Sequence, residues 1–123
     1  MSHIQLNKLV ASSVLQKDVC EEGDFGDSEI LIRNCKAGDT LMEFEIDINI
    51  PFDGTAPKAS IGIDSDHEKY LTEDQCNITL RGTYVMEYTV ILSIDETIKI
   101  YVTPDGSTQG TISGAMRFFD TEL

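Results

Sequence analysis

Leu41-Met42-Glu43-Phe44-Glu45-Ile46-Asp47-Ile48-Asn49-Ile50 decides the fold class. Met42, Phe44, Ile46, Ile48 and Ile50 share one parity, and Glu43, Glu45, Asp47 and Asn49 share the other. A β-strand turns successive side chains to opposite faces, so this run is a strand with one apolar and one acidic face. A helix would scatter the same apolar residues around its circumference. Such a strand belongs to an antiparallel sheet, and its apolar face needs a second sheet to cover it.

The flanking sequence repeats the pattern. Proline cannot donate to a ladder, so Pro51 ends the strand, and Phe52 to Pro57 is a surface loop. Lys58 to Ile63 resumes as a strand with Ala59, Ile61 and Ile63 on one face. Tyr84 to Ile94 is the longest uninterrupted strand candidate, and Asp95-Glu96 a tight turn into Thr97 to Thr103 with Ile98, Ile100 and Val102 inward. Pro104 to Gly110 is a turn, because proline presets φ and glycine supplies the positive φ that turns demand. The last strand spans Thr111 to Phe119 with Ile112, Gly114, Met116 and Phe118 on one parity. Upstream, Ile30 to Arg33 is a short strand, residues 1–16 read as an N-terminal strand, and 17–29 as an acidic loop. Residues 64–69 read as a charged loop, and 70–80 as one or two short strands. About eight strands spaced by roughly 8–12 residues predict an all-β antiparallel sandwich or jelly roll, as one domain over residues 1–123, with 1–35 the least patterned part.

Charge removes several functions. The 123 residues hold 22 acids against nine Lys and Arg, a net charge of −13. Nucleic-acid affinity comes largely from counterion release by Lys and Arg, so this composition argues against DNA or RNA and against an anionic membrane. No apolar run approaches the roughly 20 residues of a membrane span. The N-terminus lacks the basic and apolar regions of a secretion signal, which predicts synthesis in a cytoplasm. Cys20, Cys35 and Cys76 form no CxxC or Cys/His ligand spacing, so reduced, buried thiols are expected and no zinc or other cofactor.

Candidate chemistry is sparse. Asp64, Asp66 and Glu68 alternate in one stretch, and oxygen ligands at short spacing suit calcium, but the glycine and terminal Glu of an EF-hand loop are missing. Glu21, Glu22, Asp24, Asp27 and Glu29 make a second acidic cluster around Gly23 and Gly26. His3 and His67 are the only imidazoles, and neither sits beside a signature nucleophile. No hydrolase, P-loop or dinucleotide fingerprint occurs, so no catalytic residue is assigned. Sugar affinity usually rests on ring stacking, and the chain has no Trp, while Tyr70, Tyr84, Tyr88 and Tyr101 fall inside strand candidates.

One resemblance adds to this. Gly38-Asp39-Thr40 stands before a strand, and Pro51-Phe52-Asp53-Gly54-Thr55-Ala56-Pro57 precedes Ser60-Ile61-Gly62. Gly82-Thr83-Tyr84 follows, and Ile98 to Thr103 then runs into Pro104-Asp105-Gly106-Ser107-Thr108-Gln109-Gly110. This order resembles small structural proteins of tailed bacteriophages over about residues 36–118. The resemblance implies a non-enzymatic jelly-roll subunit of the virion, in a head decoration, neck or tail position. It would assemble with itself as a homo-oligomer and with other virion proteins. Exposed loops are then the expected interface, with Asp24, Phe25, Asp27, His67, Asp105 and Ser107 as its candidates. The alternative is a jelly-roll module binding a carbohydrate or host receptor.

Overall fold

A computed structural model describes residues 14–120. His3, and the part of the expected N-terminal strand up to residue 13, lie outside the described residues. Nine strands follow in order: β1 (Gln16–Val19), β2 (Gly23–Asp24), β3 (Glu29–Cys35), β4 (Thr40–Ile50), β5 (Lys58–Ile63), β6 (Asp66–Leu71), β7 (Gly82–Ile91), β8 (Glu96–Thr103) and β9 (Thr111–Phe119).

The first sheet has the order β1-β9-β4-β7, with β2 also on β9, and the second has the order β3-β8-β5-β6. β1 and β2 are two parts of one strand, since both pair with β9 and the Cys20 amide between them donates to the Gly114 carbonyl at 2.9 Å. Counted so, eight strands pair as nested partners: β1/β2 with β9, β3 with β8, β4 with β7, and β5 with β6. A long hairpin wrapped into two sheets gives this nesting, which is the jelly-roll topology. The expected antiparallel β-sandwich of about eight strands is the observed fold.

β4 lies between β9 and β7 at the middle of the first sheet. Phe44, Ile46 and Ile48 are buried, as their parity predicts, but Met42 and Ile50 are not in the core. Leu41 is buried in place of Met42 because the β4–β9 register shifts between Leu41 and Glu43. The extra residue reverses the parity, as a β-bulge must. A second shift between Ile48 and Ile50 releases the far end of the strand. Phe118 of β9 lies beside the buried β4 residues in the same sheet, Ile98 and Ile100 of β8 complete the core from across the interior, and Phe44 stacks on Tyr70 with ring centroids 4.5 Å apart.

Four expected loops, strands and turns are corrected. The acidic stretch 17–29 contains β1 and β2, whose backbones pair with β9 while most of their acids face water. The charged stretch 64–69 is mostly β6, a margin strand whose first four residues are exposed and whose composition therefore mimics a loop. Past Leu71 the chain forms only a short 3-10 turn over Glu73–Gln75, not a further strand before β7. Glu96 is not a turn residue: it opens β8 and is buried.

The Ser60-Ile61-Gly62 motif has a steric cause. β6 folds over the outer side of β5, where Ser60 Oγ donates to the His67 carbonyl at 2.6 Å. A Cβ on Gly62 would lie 2.2 Å from the Asp66 carbonyl oxygen. Only small residues fit beneath this crossing.

Candidate assembly surfaces

The strand directions gather the loops at two ends. The β2–β3, β4–β5, β6–β7 and β8–β9 connections meet at one end, and β3–β4, β5–β6 and β7–β8 at the other. Five of the six sequence candidates, Asp24, Phe25, Asp27, Asp105 and Ser107, therefore stand together at the four-loop end. His67 stands apart, on the outer face of the second sheet.

The four-loop end is fastened from within. The Asp53 carboxylate accepts from the Thr108 amide at 2.6 Å, the Thr108 hydroxyl at 2.7 Å and the Gln109 amide at 3.3 Å. The Thr108 hydroxyl bond, then the amides, hold the Asp53 carboxyl below its ordinary pKa. The Ala56 amide donates to Asp105 Oδ2 at 2.9 Å, which ties the β4–β5 loop to the β8–β9 loop. Gly54 must lack a Cβ, which would fall 2.4 Å from the Pro104 carbonyl oxygen. Ser107 is a correction: it is buried, accepts from the Gly54 amide at 2.8 Å and donates to the Pro104 carbonyl at 2.7 Å. Asp24, Phe25, Asp27 and Asp105 remain exposed, with the Gly26 amide on Asp24 and the Asp24 amide on Asp27.

The second sheet's outer face carries His67 stacked on Tyr101, with ring centroids 3.7 Å apart and planes 4° from parallel. The Tyr101 hydroxyl donates to Asp64 at 2.7 Å, and Lys99 bridges Asp64 and Glu29. These bonds, the tyrosine's first and the lysine's second, lower the Asp64 pKa. Asp66 accepts from the Glu68 amide and Glu68 from the Glu73 amide. Asp64, Asp66 and Glu68 thus point to three different partners and do not converge. Among the described residues no group of His, Cys, Asp or Glu is placed to hold a metal ion.

Several features had no clear signal in the sequence. Glu96, buried, accepts from Lys69 and from the Tyr70 hydroxyl, and links β8 to β6. Arg33 lies 3.9 Å over the Phe118 ring and pairs with Asp18 at 2.8 Å, bridging the two sheets between β1 and β3. Cys20, Cys35 and Cys76 are free and buried; burial pushes the Cys35 thiol up to about 12 and the Cys76 thiol up to about 11.

The acidic parity of β4 faces outward from the first sheet, but the face is only half open. Burial first, then the neighbouring Asp47 carboxylate, raises the Glu45 pKa, with Lys17 at 3.9 Å opposing. A carboxyl whose folded pKa is raised stabilises the fold below its unfolded pKa and loses that contribution as pH rises through the folded value. Glu45→Gln is therefore expected to raise the urea midpoint at pH 7, because the Lys17 contact it gives up is long, at 3.9 Å, with its lysine end open to water, and is worth little. The gain should vanish near about pH 4, where glutamate itself becomes neutral. An equal gain at both pH values would remove this explanation.

No protein-family profile and no curated protein sequence matches this chain. Solved structures do match. A chain of the acidic stable capsid structure of Helicobacter pylori bacteriophage KHP30 superposes with a TM-score of 0.71, at 10% identity, over 89% of this chain and 90% of its own. A chain of the cyanophage Pam1 capsid asymmetric unit superposes with a TM-score of 0.63, at 11% identity, over 85% of this chain and 84% of its own.

Proposed function

We propose that this chain is a non-enzymatic structural subunit of a bacteriophage virion, bound to the exterior of the capsid as a head decoration protein. The observation that carries this is the nearly end-to-end match, in both directions, with a chain from a phage capsid structure. A chain matched over about nine-tenths of its length has most of its fold in common with that capsid component. The sequence motifs that resemble tailed-phage structural proteins lead to the same class independently.

Electrostatics supports the exterior position. Five of the eight described Lys and Arg residues, Lys17, Arg33, Lys69, Lys99 and Arg117, already pair with carboxylates. Little cationic surface is left for packaged nucleic acid. The glycan-binding alternative has less support. Tyr101 is covered by His67, Tyr70 is buried against Phe44, and the Tyr84 hydroxyl is bound to the Asn77 carbonyl at 2.9 Å.

The test is a phage from which this coding sequence has been deleted. Its capsids should lack the band that carries this sequence in the parent particles. Purified protein should rebind those capsids to a fixed stoichiometry and raise the temperature at which they release DNA. Absence of the protein from parent virions, or no binding to the deleted capsids, would overturn the proposal.

A further inference from the structure

Four margins bound the two sheets: β1 with β2, and β7, in the first, and β3 and β6 in the second. A margin strand presents unpaired N–H and C=O groups, and proteins usually guard it by charge, proline or shortness. β1 has four residues including Lys17 and Asp18, β6 opens on Asp66-His67-Glu68-Lys69, and β3 carries Glu29 and Arg33. β7 is unguarded. It runs ten residues with Glu87 as its one charge and no proline, and among the described residues its ladder pairs with β4 alone. Val85 is 51%, Tyr88 45% and Ile91 68% exposed along it.

The start of the sequence has the complementary character. All 22 acids lie from Asp18 onward, so residues 1–17 set Lys8, Lys17 and His3 against no acidic side chain. Ile4 and Leu6 alternate with Gln5 and Asn7, as a strand requires, and Leu9-Val10 extend the apolar content. Ile4 to Ser13 equals β7 in length.

We propose that residues 4–13 of a second copy of this chain add to β7 as an outer antiparallel strand. Main-chain bonds would supply the affinity, and the apolar side chains would cover Val85 and Ile91. Charge and chain direction select this occupant. Pairing two β7 strands directly would join two strongly negative bodies, each with Glu87 beside Glu43, and Val85 beside Glu45. The acid-free segment brings Lys8 to that surface instead. A chain's own segment enters β1 at the three-loop end, on the margin opposite β7. Carried across that end, it would run along β7 in the same direction, and parallel pairs are less stable per residue. A neighbour's segment is free to run antiparallel.

Strand addition of this kind needs only the purified chain, so its failure is separable from failure of the capsid reading. Laid end to end and antiparallel, Ile4–Ser13 sets Val10 opposite Val85, so the full-length V10C/V85C variant is mixed from mass-tagged and untagged preparations and treated with a short bismaleimide. Cys20, Cys35 and Cys76 are buried and should stay unreactive in the folded protein. The expected product joins a tagged to an untagged chain. The unmodified chain should sediment at no less than twice its 13.6 kDa mass. V85K, at an exposed site that leaves the core untouched, should return it to one-chain mass, as should deletion of residues 1–13. Cross-links confined within single chains, a one-chain mass for the unmodified protein, or an oligomer that survives V85K would overturn the proposal.

Discussion

Replacing Ile46 by alanine is expected to lower the unfolding free energy by about 3–4 kcal/mol, as lost transfer energy plus the cavity left behind. Typical domains are stable by only about 5–15 kcal/mol, so this is a large share. The melting temperature should fall on the order of 10–15 °C. Ile46 is fully buried on the central strand β4, opposite Gly114 of β9 and Tyr84 of β7. Ile100 fills the space above Gly114, where a Cβ would come within 2.6 Å of its Cδ1. The vacated volume is therefore walled by rigid strands that cannot collapse into it. Urea unfolding by circular dichroism measures the loss. A change under about 1 kcal/mol would mean that the interior is not built around β4.

Adding one carbon at Gly62 is expected to be nearly as damaging. The Cβ of a Gly62→Ala variant would meet the Asp66 carbonyl oxygen at 2.2 Å, the His67 carbonyl carbon at 2.6 Å and the His67 oxygen at 2.7 Å. All three are backbone atoms, so no side chain can turn aside and β6 must lift from β5. The Ser60–His67 hydrogen bond and the His67–Tyr101 stack would go with it. The expected loss is about 2–3 kcal/mol, from overpacking and the lost contacts. Faster amide exchange confined to β6 is the local readout. Gly26→Ala is the control: its Cβ would meet only the Asp24 carboxylate, at 3.1 Å, and should change stability by under about 0.5 kcal/mol. Equal effects at the two glycines would refute the steric account.

Both margins of the first sheet carry consequences for assembly. Arg33 and Asp18 bridge the side where β1 faces β3, whereas β7 ends the other side with its outer apolar residues in water. The four-loop end, fastened by Asp53 and Asp105, offers a shape that is set before any partner arrives. A prearranged surface loses less freedom on binding. These properties suit binding at that end without refolding of its loops.

Periodicity located most strands because alternation is a local consequence of the pleat, visible wherever one face is buried. It failed where local pattern and pairing disagree. Met42 has the parity of a core residue but sits at a bulge, and the bulge exists only because β4 must match Arg117 and Phe118 of a strand about 75 positions away. The charged start of β6 reads as a loop because a margin strand can be polar on both faces. Of the candidate surface residues, Asp24, Phe25, Asp27 and Asp105 were legible as exposed turns, but the burial of Ser107 was not. Its hydroxyl is held by the Gly54 amide, 53 residues earlier in the chain.

By itself, the order of residues determined an all-β sandwich with an anionic skin, since parity and charge need no knowledge of neighbours. Only the tertiary structure decided which strands pair within the jelly roll, that β7 is an open margin among the described residues, and that the loops collect at two ends. Those features depend on which strands lie side by side. Strand pairing is made by backbone groups common to every residue, so the side-chain sequence carries almost no record of it.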